Sequence, residues 1–317
     1  AKMKKKSKYI YQANIRLGDD LFNKGEPKEA LKYFRASLKS IDLNSTSASN
    51  SVDRLQASYR LAWASYKAAD LEQAVKAANV VLTSRAALTI IVDAQAMIVD
   101  TAELMADSLF ELNRVDYMAK ILAADKMQEN GCHVAYYLMK RMNKSQVHED
   151  VIKIGQIVRQ RYAKSPLYPQ TMYLLASSYL AQDQQTPYLA ALEQIALLLP
   201  DRSLWRRYNL EDQNAISKME SVAEGAARML AAHYYDAGSK TGARNSLQSA
   251  AQYLQLLVEN RTTSTDLGQW KLRHANAQFL LKNYRLATEN YAEIIENTSF
   301  SADLAEVAMY QAAETHY

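Results

Sequence analysis

The sequence has few of the residues that interrupt helices. Its 317 residues include 8 glycines and 5 prolines, whereas alanine, leucine, glutamine, glutamate and lysine are plentiful. Such a composition favours long helices, and it disfavours β-rich folds and glycine-rich phosphate-binding loops. The sequence therefore predicts an all-α protein.

Cysteine, net charge and long apolar runs are also scarce. Cys132 is the only cysteine, which excludes an internal disulfide framework and a multi-cysteine zinc site. The 38 basic and 34 acidic side chains give a net charge of +4, so the composition predicts no general attraction to nucleic acid or anionic lipid. No apolar run approaches the roughly 20 residues that cross a bilayer, which predicts a chain without a membrane span.

The sequence also lacks the usual signatures of catalysis. It contains neither a P-loop nor a GxGxxG run, and its five histidines show no metal-binding spacing. Cys132 and His133 can meet a metal together with His148, and Glu103 and Asp107 can pair as acid and base. We interpret the cysteine and the two histidines as isolated helix residues, and the two carboxylates as a solvated or groove-lining pair. We therefore expect no enzyme activity, no cofactor and no metal site.

The sequence does contain a helical hairpin at residues 59–82. Small and apolar residues recur at helical spacing on both sides of a polar break at residues 67–70. Asp70 is placed to cap the second helix, with Gln73 at the third helical position. The recurring residues are Leu61, Ala62, Ser65 and Tyr66, followed by Ala74, Ala78, Val81 and Leu82. One such hairpin cannot bury its apolar face alone, so the chain must supply others.

Further hairpins follow the same order of residue types. The sharpest match is the first, in which the chain places Leu17-Gly18, Leu21, Ala30 and Phe34, with Gly25 and Pro27 at the turn between the two helices. These residues resemble the tetratricopeptide (TPR) pattern in order and spacing. The resemblance implies an α-solenoid of antiparallel helical hairpins in a right-handed superhelix, which binds an extended segment or helix of another protein in its concave groove.

The repeats are longer than a TPR unit of about 34 residues. Ala30 and Ala74 are 44 residues apart, and Ala74 and Ala119 are 45 apart. Either the loops between repeats are long or the helices carry extra turns. Residues 84–102 contain no helix breaker and favour extra helical turns. Residues 42–51 are rich in Ser, Thr and Asn and predict a loop. A second loop is predicted at residues 238–241, between a helix at 215–236 and its partner at 247–258.

The expected organisation has four parts. They are a basic lead-in at 1–8, TPR-like repeats at 9–200, an irregular insert at 201–212, and further repeats at 213–317 that we expect to continue beyond Tyr317.

The resemblance also assigns residues to the groove. Transferred position by position, it implies that these are Asp19, Phe22, Asn23, Tyr59, Trp63, Tyr66, Glu103, Asp107, Phe110, Tyr173, Ser177, Asn276 and Phe279. Aromatic side chains beside polar ones suit peptide recognition. The alternative for the central aromatic residues is packing between adjacent hairpins.

A separate cluster lies in the predicted insert. It consists of Trp205, Arg206, Arg207 and Tyr208, which mix basic and aromatic groups as nucleic-acid sites do. We interpret it as an exposed interaction loop or a packed corner.

The predicted function is a non-catalytic scaffold that binds another protein or a peptide segment. The opening Tyr-Arg-Leu-Ala-Trp at residues 59–63 and the many tyrosines are similar to bacterial cell-envelope TPR proteins, such as accessory proteins of the Tol–Pal and gliding-motility systems. That similarity implies a periplasmic or envelope location, with the cytoplasm as the alternative. Other functions left open are a positioning region of a larger enzyme, such as a cell-wall lytic enzyme, and RNA binding by helical repeats. The partner and the oligomeric state stay open.

Overall fold

The computed structural model describes residues 2–41, 48–124, 128–261 and 263–315, with side chains from Tyr9 onward. Within these ranges the secondary structure consists of seventeen helices without a strand, which confirms the predicted all-α class. Most of the predicted loop at 42–51 lies outside the described residues, and its last four residues belong to a helix.

The helices divide between two compact units, Ala1–Leu174 and Leu175–Tyr317. Those that begin in the N-terminal unit are α1 (Lys2–Asn23), α2 (Pro27–Ser40), α3 (Ala48–Lys67), α4 (Leu71–Thr83), α5 (Arg85–Leu88), α6 (Ala94–Glu111), α7 (Val115–Ala123), α8 (Asn130–Lys144), α9 (His148–Arg161) and α10 (Tyr168–Ala181). Those of the C-terminal unit are α11 (Gln185–Ala196), α12 (Leu204–Tyr208), α13 (Gln213–Thr241), α14 (Arg244–Asn260), α15 (Leu267–Leu280), α16 (Tyr284–Glu296) and α17 (Ala302–Glu314).

Within each unit, helices pack mainly against their neighbours in the sequence. In the N-terminal unit α1 packs on α2, α2 on α3, α3 on α4, α4 on α6, α6 on α8 and α8 on α9. In the C-terminal unit α11 packs on α13, and α13 to α17 pack each on the next. Packing of repeated hairpins on their nearest neighbours is the defining property of a helical solenoid. The predicted solenoid-like fold of antiparallel hairpins is confirmed.

Six hairpins share one turn geometry. A residue in the left-handed conformation, with φ between +50° and +80°, donates its N–H to the carbonyl three residues earlier at 2.8–3.1 Å, as in a helix C-cap. The turn residues are Gly25, Ala69, Asn113, Gln146, Asp183 and Lys282. Only the first is glycine, so five of these turns carry a left-handed conformation that costs a non-glycine residue about 1 kcal/mol or more.

The turn residue defines equivalent positions in the repeats. Seven residues before it, five of the six hairpins have glycine or alanine, and each of these residues is buried: Gly18, Ala62, Ala106, Ala176 and Ala275. At Gly18 the reason is direct, because a Cβ there would lie 2.4 Å from Cε1 of Phe34. The Phe34 ring is 1% exposed. The small residue therefore lets the paired helix approach closely.

The capping prediction at the second hairpin is confirmed. Asp70 Oδ1 accepts the backbone N–H of Gln73 at 3.3 Å, which satisfies one free donor of the first turn of α4. The other carboxylate oxygen accepts from Arg35 at 3.1 Å. Asp70 therefore also joins the first hairpin to the second.

The expectation of extra helical turns in residues 84–102 is wrong. Helix α4 ends at Thr83, and a short α5 and a turn precede α6 at Ala94. The break allows Ala87 and Leu88 to pack with Leu55 and Val81 in one buried cluster. Tertiary burial therefore overrides the helix propensity of this stretch, as it commonly does.

The loop predicted at residues 238–241 is also wrong. Helix α13 continues to Thr241 and ends at Gly242, whose φ is +70°. Gly238 lies inside the helix, where a Cβ would come within 2.7 Å of Leu247 Cγ. This glycine serves close packing against α14, and it does not end the helix.

A buried polar network joins α15 to α16. His274 is 7% exposed, with Nε2 3.1 Å from Gln278 Nε2 and Nδ1 3.1 Å from the Asn290 side-chain amide. Gln278 Oε1 accepts from Asn283 at 2.8 Å, so the Gln278 amide donates to His274 Nε2. His274 therefore accepts at Nε2, and Nδ2 of the Asn290 amide lies beside Nδ1.

This network predicts a loss of stability in mild acid. Burial lowers the pKa of His274 below its ordinary 6.5, although Glu259 and Glu293 oppose the shift. The unfolded chain then binds the proton at a higher pH than the folded chain, so the free energy of unfolding falls as the pH drops below about 6.5, by at most about 1.4 kcal/mol per pH unit for this proton.

The measurement is urea unfolding at pH 7 and pH 5.5. We expect His274→Gln to reduce the difference in the free energy of unfolding between the two pH values. Equal pH dependence in the wild type and His274→Gln would contradict the assignment.

The contact at Gly18 gives a second prediction. We expect Gly18→Ala to lower the free energy of unfolding by roughly 1 to 3 kcal/mol, because the added Cβ overpacks against the Phe34 ring. The matched control is Gly225→Ala in α13, where a Cβ meets nothing within 4 Å. There alanine is expected to stabilise by about 0.5 to 1 kcal/mol through helix propensity. Urea titration followed by circular dichroism measures both, and a Gly18→Ala chain as stable as the wild type would refute the packing argument.

Candidate functional site

The candidate site is a pocket in the N-terminal unit, between the first helices of adjacent hairpins. It has a volume of about 600 Å³. Its lining residues come from four helices and are Asp19, Phe22, Phe34, Gln56, Tyr59, Arg60, Trp63, Lys67 and Met97. Four predicted groove residues are among them, namely Asp19, Phe22, Tyr59 and Trp63. Two separate hairpins therefore contribute predicted residues to one cavity.

An ion pair closes one side of the pocket. Arg60 Nε donates to Asp19 Oδ1 at 2.8 Å and to Oδ2 at 3.1 Å. Both side chains are about one third exposed, so the pair is moderately screened by water. It links α1 to α3 and neutralises two charges of the lining. Lys67, which is exposed, forms no ion pair with the described residues.

Aromatic side chains form the wall on α3. Trp63 and Tyr66 meet edge to face, with ring centroids 6.3 Å apart, a favourable arrangement for two aromatic rings. Burial raises the pKa of the Tyr59 hydroxyl, and the neighbouring Trp63 indole opposes this shift. The Trp63 Nε1 is buried, and among the described residues no acceptor meets full hydrogen-bond geometry with it. All three rings are half-buried. Tyr59 and Trp63 line the pocket, whereas Tyr66 lies outside the lining.

The surface continues from the pocket along α6. The Tyr59 hydroxyl donates to Asp100 Oδ2 at 3.4 Å. Tyr66 lies beside Asp107, which adds to burial in raising the pKa of the phenol. Asp107 is ion-paired with Arg141 of α8. The pairing places Asp107 in a charge network with α8, while Glu103 is an exposed neighbour.

The other predicted groove residues lie outside the pocket. Asn23 is exposed at the end of α1, Phe110 is half-buried, and on α10 Tyr173 is exposed and Ser177 half-buried. In the C-terminal unit, Asn276 Oδ1 accepts from the Tyr291 hydroxyl at 2.7 Å. Phe279 packs edge to face on Tyr284, with centroids 5.6 Å apart.

The predicted interaction loop at 205–208 separates into two pairs. Trp205 is buried, and Arg206 donates to Glu220 Oε1 at 2.8 Å and to the Leu199 carbonyl at 3.3 Å. These two residues form a packed corner, which was the alternative interpretation. Arg207 and Tyr208 are exposed, so only they remain available as a surface.

Sequence reasoning missed five of the lining residues: Phe34, Gln56, Arg60, Lys67 and Met97. Arg60 had a usable signal. Arg60 and Asp19 carry opposite charges and lie on the first helices of two consecutive hairpins, at repeat positions about one helical turn apart. Met97 had none, since it lies in the stretch whose helix break was not predicted.

The described residues contain little reactive chemistry. Burial raises the pKa of the Cys132 thiol to about 11, which keeps it protonated and unreactive at neutral pH. Within the described ranges, no group of three or more His, Cys, Asp or Glu side chains is arranged to hold a metal ion. In the same ranges, no helix combines the length and apolar character that a membrane crossing requires.

The fold and the pocket define the chain as an all-α, helical-repeat-like protein. No family model and no curated protein matches the sequence. Among solved structures, the chain is similar to a protein described as a circular tandem repeat protein with novel repeat topology and enhanced subunit contact surfaces. The similarity has a TM-score of 0.29 at 10% identity, and it covers 98% of this chain and 76% of that protein.

Proposed function

We propose that this chain is a non-catalytic, TPR-type scaffold that binds a segment of another protein in the pocket between α1 and α3. The observation that carries the proposal is the meeting of Asp19, Phe22, Tyr59 and Trp63 in one cavity. These residues were assigned to a groove by their repeat positions alone.

The pocket has the properties of a peptide-binding site. Its volume lies within the range of roughly 300 to 1,000 Å³ typical of ligand sites, which accommodates one or two apolar side chains. Phe22, Tyr59 and Trp63 offer rigid contact area at small entropic cost. The Asp19–Arg60 pair provides polar groups at the edge. Apolar burial beside a few polar contacts is the usual composition of an interaction hot spot.

We also propose that the scaffold serves in a bacterial envelope assembly, with a periplasmic location. The support is the resemblance of residues 59–63 to envelope TPR proteins. Tyr59 and Trp63, which carry that resemblance, are also pocket residues. Envelope function and pocket binding are therefore proposed for the same segment.

The test is selection of peptides from a random display library, followed by affinity measurement on variants. We expect Trp63→Ala to weaken the selected peptides on the order of 30-fold, since loss of a central aromatic anchor commonly costs 2 kcal/mol or more. The matched control is Tyr173→Ala on α10, an exposed aromatic outside the pocket, and it should leave the affinity unchanged.

Fluorescence anisotropy with labelled peptides measures the affinity, and circular dichroism confirms that each variant is folded. Unchanged affinity for Trp63→Ala would remove the pocket from the function. Phe22→Ala provides a second variant from a different helix.

A further inference from the structure

One wall of the pocket continues as a row of carboxylates. Met97 lines the pocket on α6, and Asp100, Glu103, Asp107 and Glu111 follow it at intervals of three or four residues. This spacing places all five side chains on one face of the helix. We call the four acidic residues the carboxylate row. Because the Tyr59 hydroxyl donates to Asp100 at 3.4 Å, the row begins at the pocket.

The charge of this row is mostly unbalanced. Asp107 is paired with Arg141, but Asp100, Glu103 and Glu111 are exposed and form no ion pair with the described residues. Glu111 is also the last residue of α6, where the helix dipole makes a carboxylate unfavourable. These three carboxylates therefore leave negative charge on the surface that a basic partner can neutralise.

Tyrosines flank the row on both sides. On α3, Tyr66 lies beside Asp107 and Glu111, both of which add to burial in raising its pKa. On α8, Tyr137 lies near Glu103 and Asp100, which have the same effect on its phenol. The row is therefore bordered by aromatic surface that can cover the aliphatic stems of long basic side chains.

The pocket itself carries different chemistry. Its one internal ion pair, between Asp19 and Arg60, is already formed, and its remaining charge is the cation of Lys67. An incoming cation therefore gains little from the pocket. An apolar side chain is favoured there, and positive charge is favoured along α6.

We propose that the pocket and the carboxylate row bind one basic polypeptide segment in an extended conformation. An apolar side chain of the segment enters the pocket, and lysine or arginine side chains pair with Asp100, Glu103 and Glu111. This inference rests on the proposed function and specifies its partner. The same charges oppose binding of nucleic acid, whose backbone is anionic.

The dimensions of the row agree with an extended segment. Glu111 lies eleven positions after Asp100, a length of roughly 16 Å at about 1.5 Å per helical residue. An extended chain covers that length in about five residues, with alternate side chains pointing to the same face. Basic residues at alternate positions of such a segment can therefore reach carboxylates along the length of the row.

The test uses two fluorescein-labelled peptides on the full chain. In each, one phenylalanine is flanked on both sides by three charged residues that alternate with serine. The charges are lysines in one peptide and glutamates in the other. We expect the lysine peptide to bind at least about tenfold more tightly at low salt, since three exposed ion pairs contribute a few-fold each. Its affinity should fall as salt screens the row.

The row is tested with a charge-neutral variant, Asp100→Asn with Glu103→Gln and Glu111→Gln. We expect it to bind the lysine peptide about tenfold more weakly, with a flatter salt dependence. The matched control removes three exposed carboxylates elsewhere, as Glu29→Gln with Glu149→Gln and Glu211→Gln. It makes the same change in net charge and should leave the affinity nearly unchanged. Thermal melts establish that both variants are folded.

Trp63→Ala separates failure of this inference from failure of the proposed function. If both peptides bind equally and the charge-neutral variant has no effect, while Trp63→Ala still weakens binding, the basic partner is refuted and the pocket stands. Tighter binding of the glutamate peptide, or no binding of either peptide, refutes the basic partner as well. If the lysine peptide binds but Trp63→Ala has no effect, the pocket is not the anchor site and the proposed function fails.

Discussion

The close approach of α1 and α2 at Gly18 is the contact on which the pocket depends. With no Cβ at this position, the Phe34 ring lies against the α1 backbone, and Phe34 in turn lines the pocket. The next residue on α1, Asp19, is thereby held where Arg60 of α3 can reach it. Buried contacts are far less tolerant of added volume than exposed ion pairs are of charge changes. Packing at Gly18 therefore contributes more to the position of α1 beside the pocket than the ion pair does. The ion pair orients the Asp19 side chain.

A small buried residue at the position of Gly18 recurs in the later hairpins, with one exception. Four later hairpins place a buried alanine where the first has Gly18, but the fourth has Met139. In that hairpin the position equivalent to Phe34 is Gly155, which is also buried. Large and small residues have thus exchanged repeat positions relative to the first hairpin.

Spacing relative to the hairpin turn was the predictable part. Asp19, Trp63, Asp107, Ser177 and Asn276 all lie six residues before a left-handed turn residue, and the order of small and aromatic residues located this register. The turns themselves were less visible, because Ala69 and Lys282 adopt a conformation that sequence reasoning assigns to glycine. The break before Ala94 and the helix through Gly238 depend on burial of Leu88 and Leu247. Such contacts come from elsewhere in the fold and leave no local signal.

The central claim is that a partner segment occupies the pocket at Trp63, and the three tryptophans of this chain allow a direct test. Trp205 and Trp270 are buried and serve as internal references for Trp63. The measurement is ¹⁹F NMR of the 5-fluorotryptophan-labelled chain during titration with the lysine peptide. The account predicts a saturable shift of the Trp63 resonance with the other two unmoved. A shift of Trp270 or Trp205 with Trp63 unmoved would contradict it.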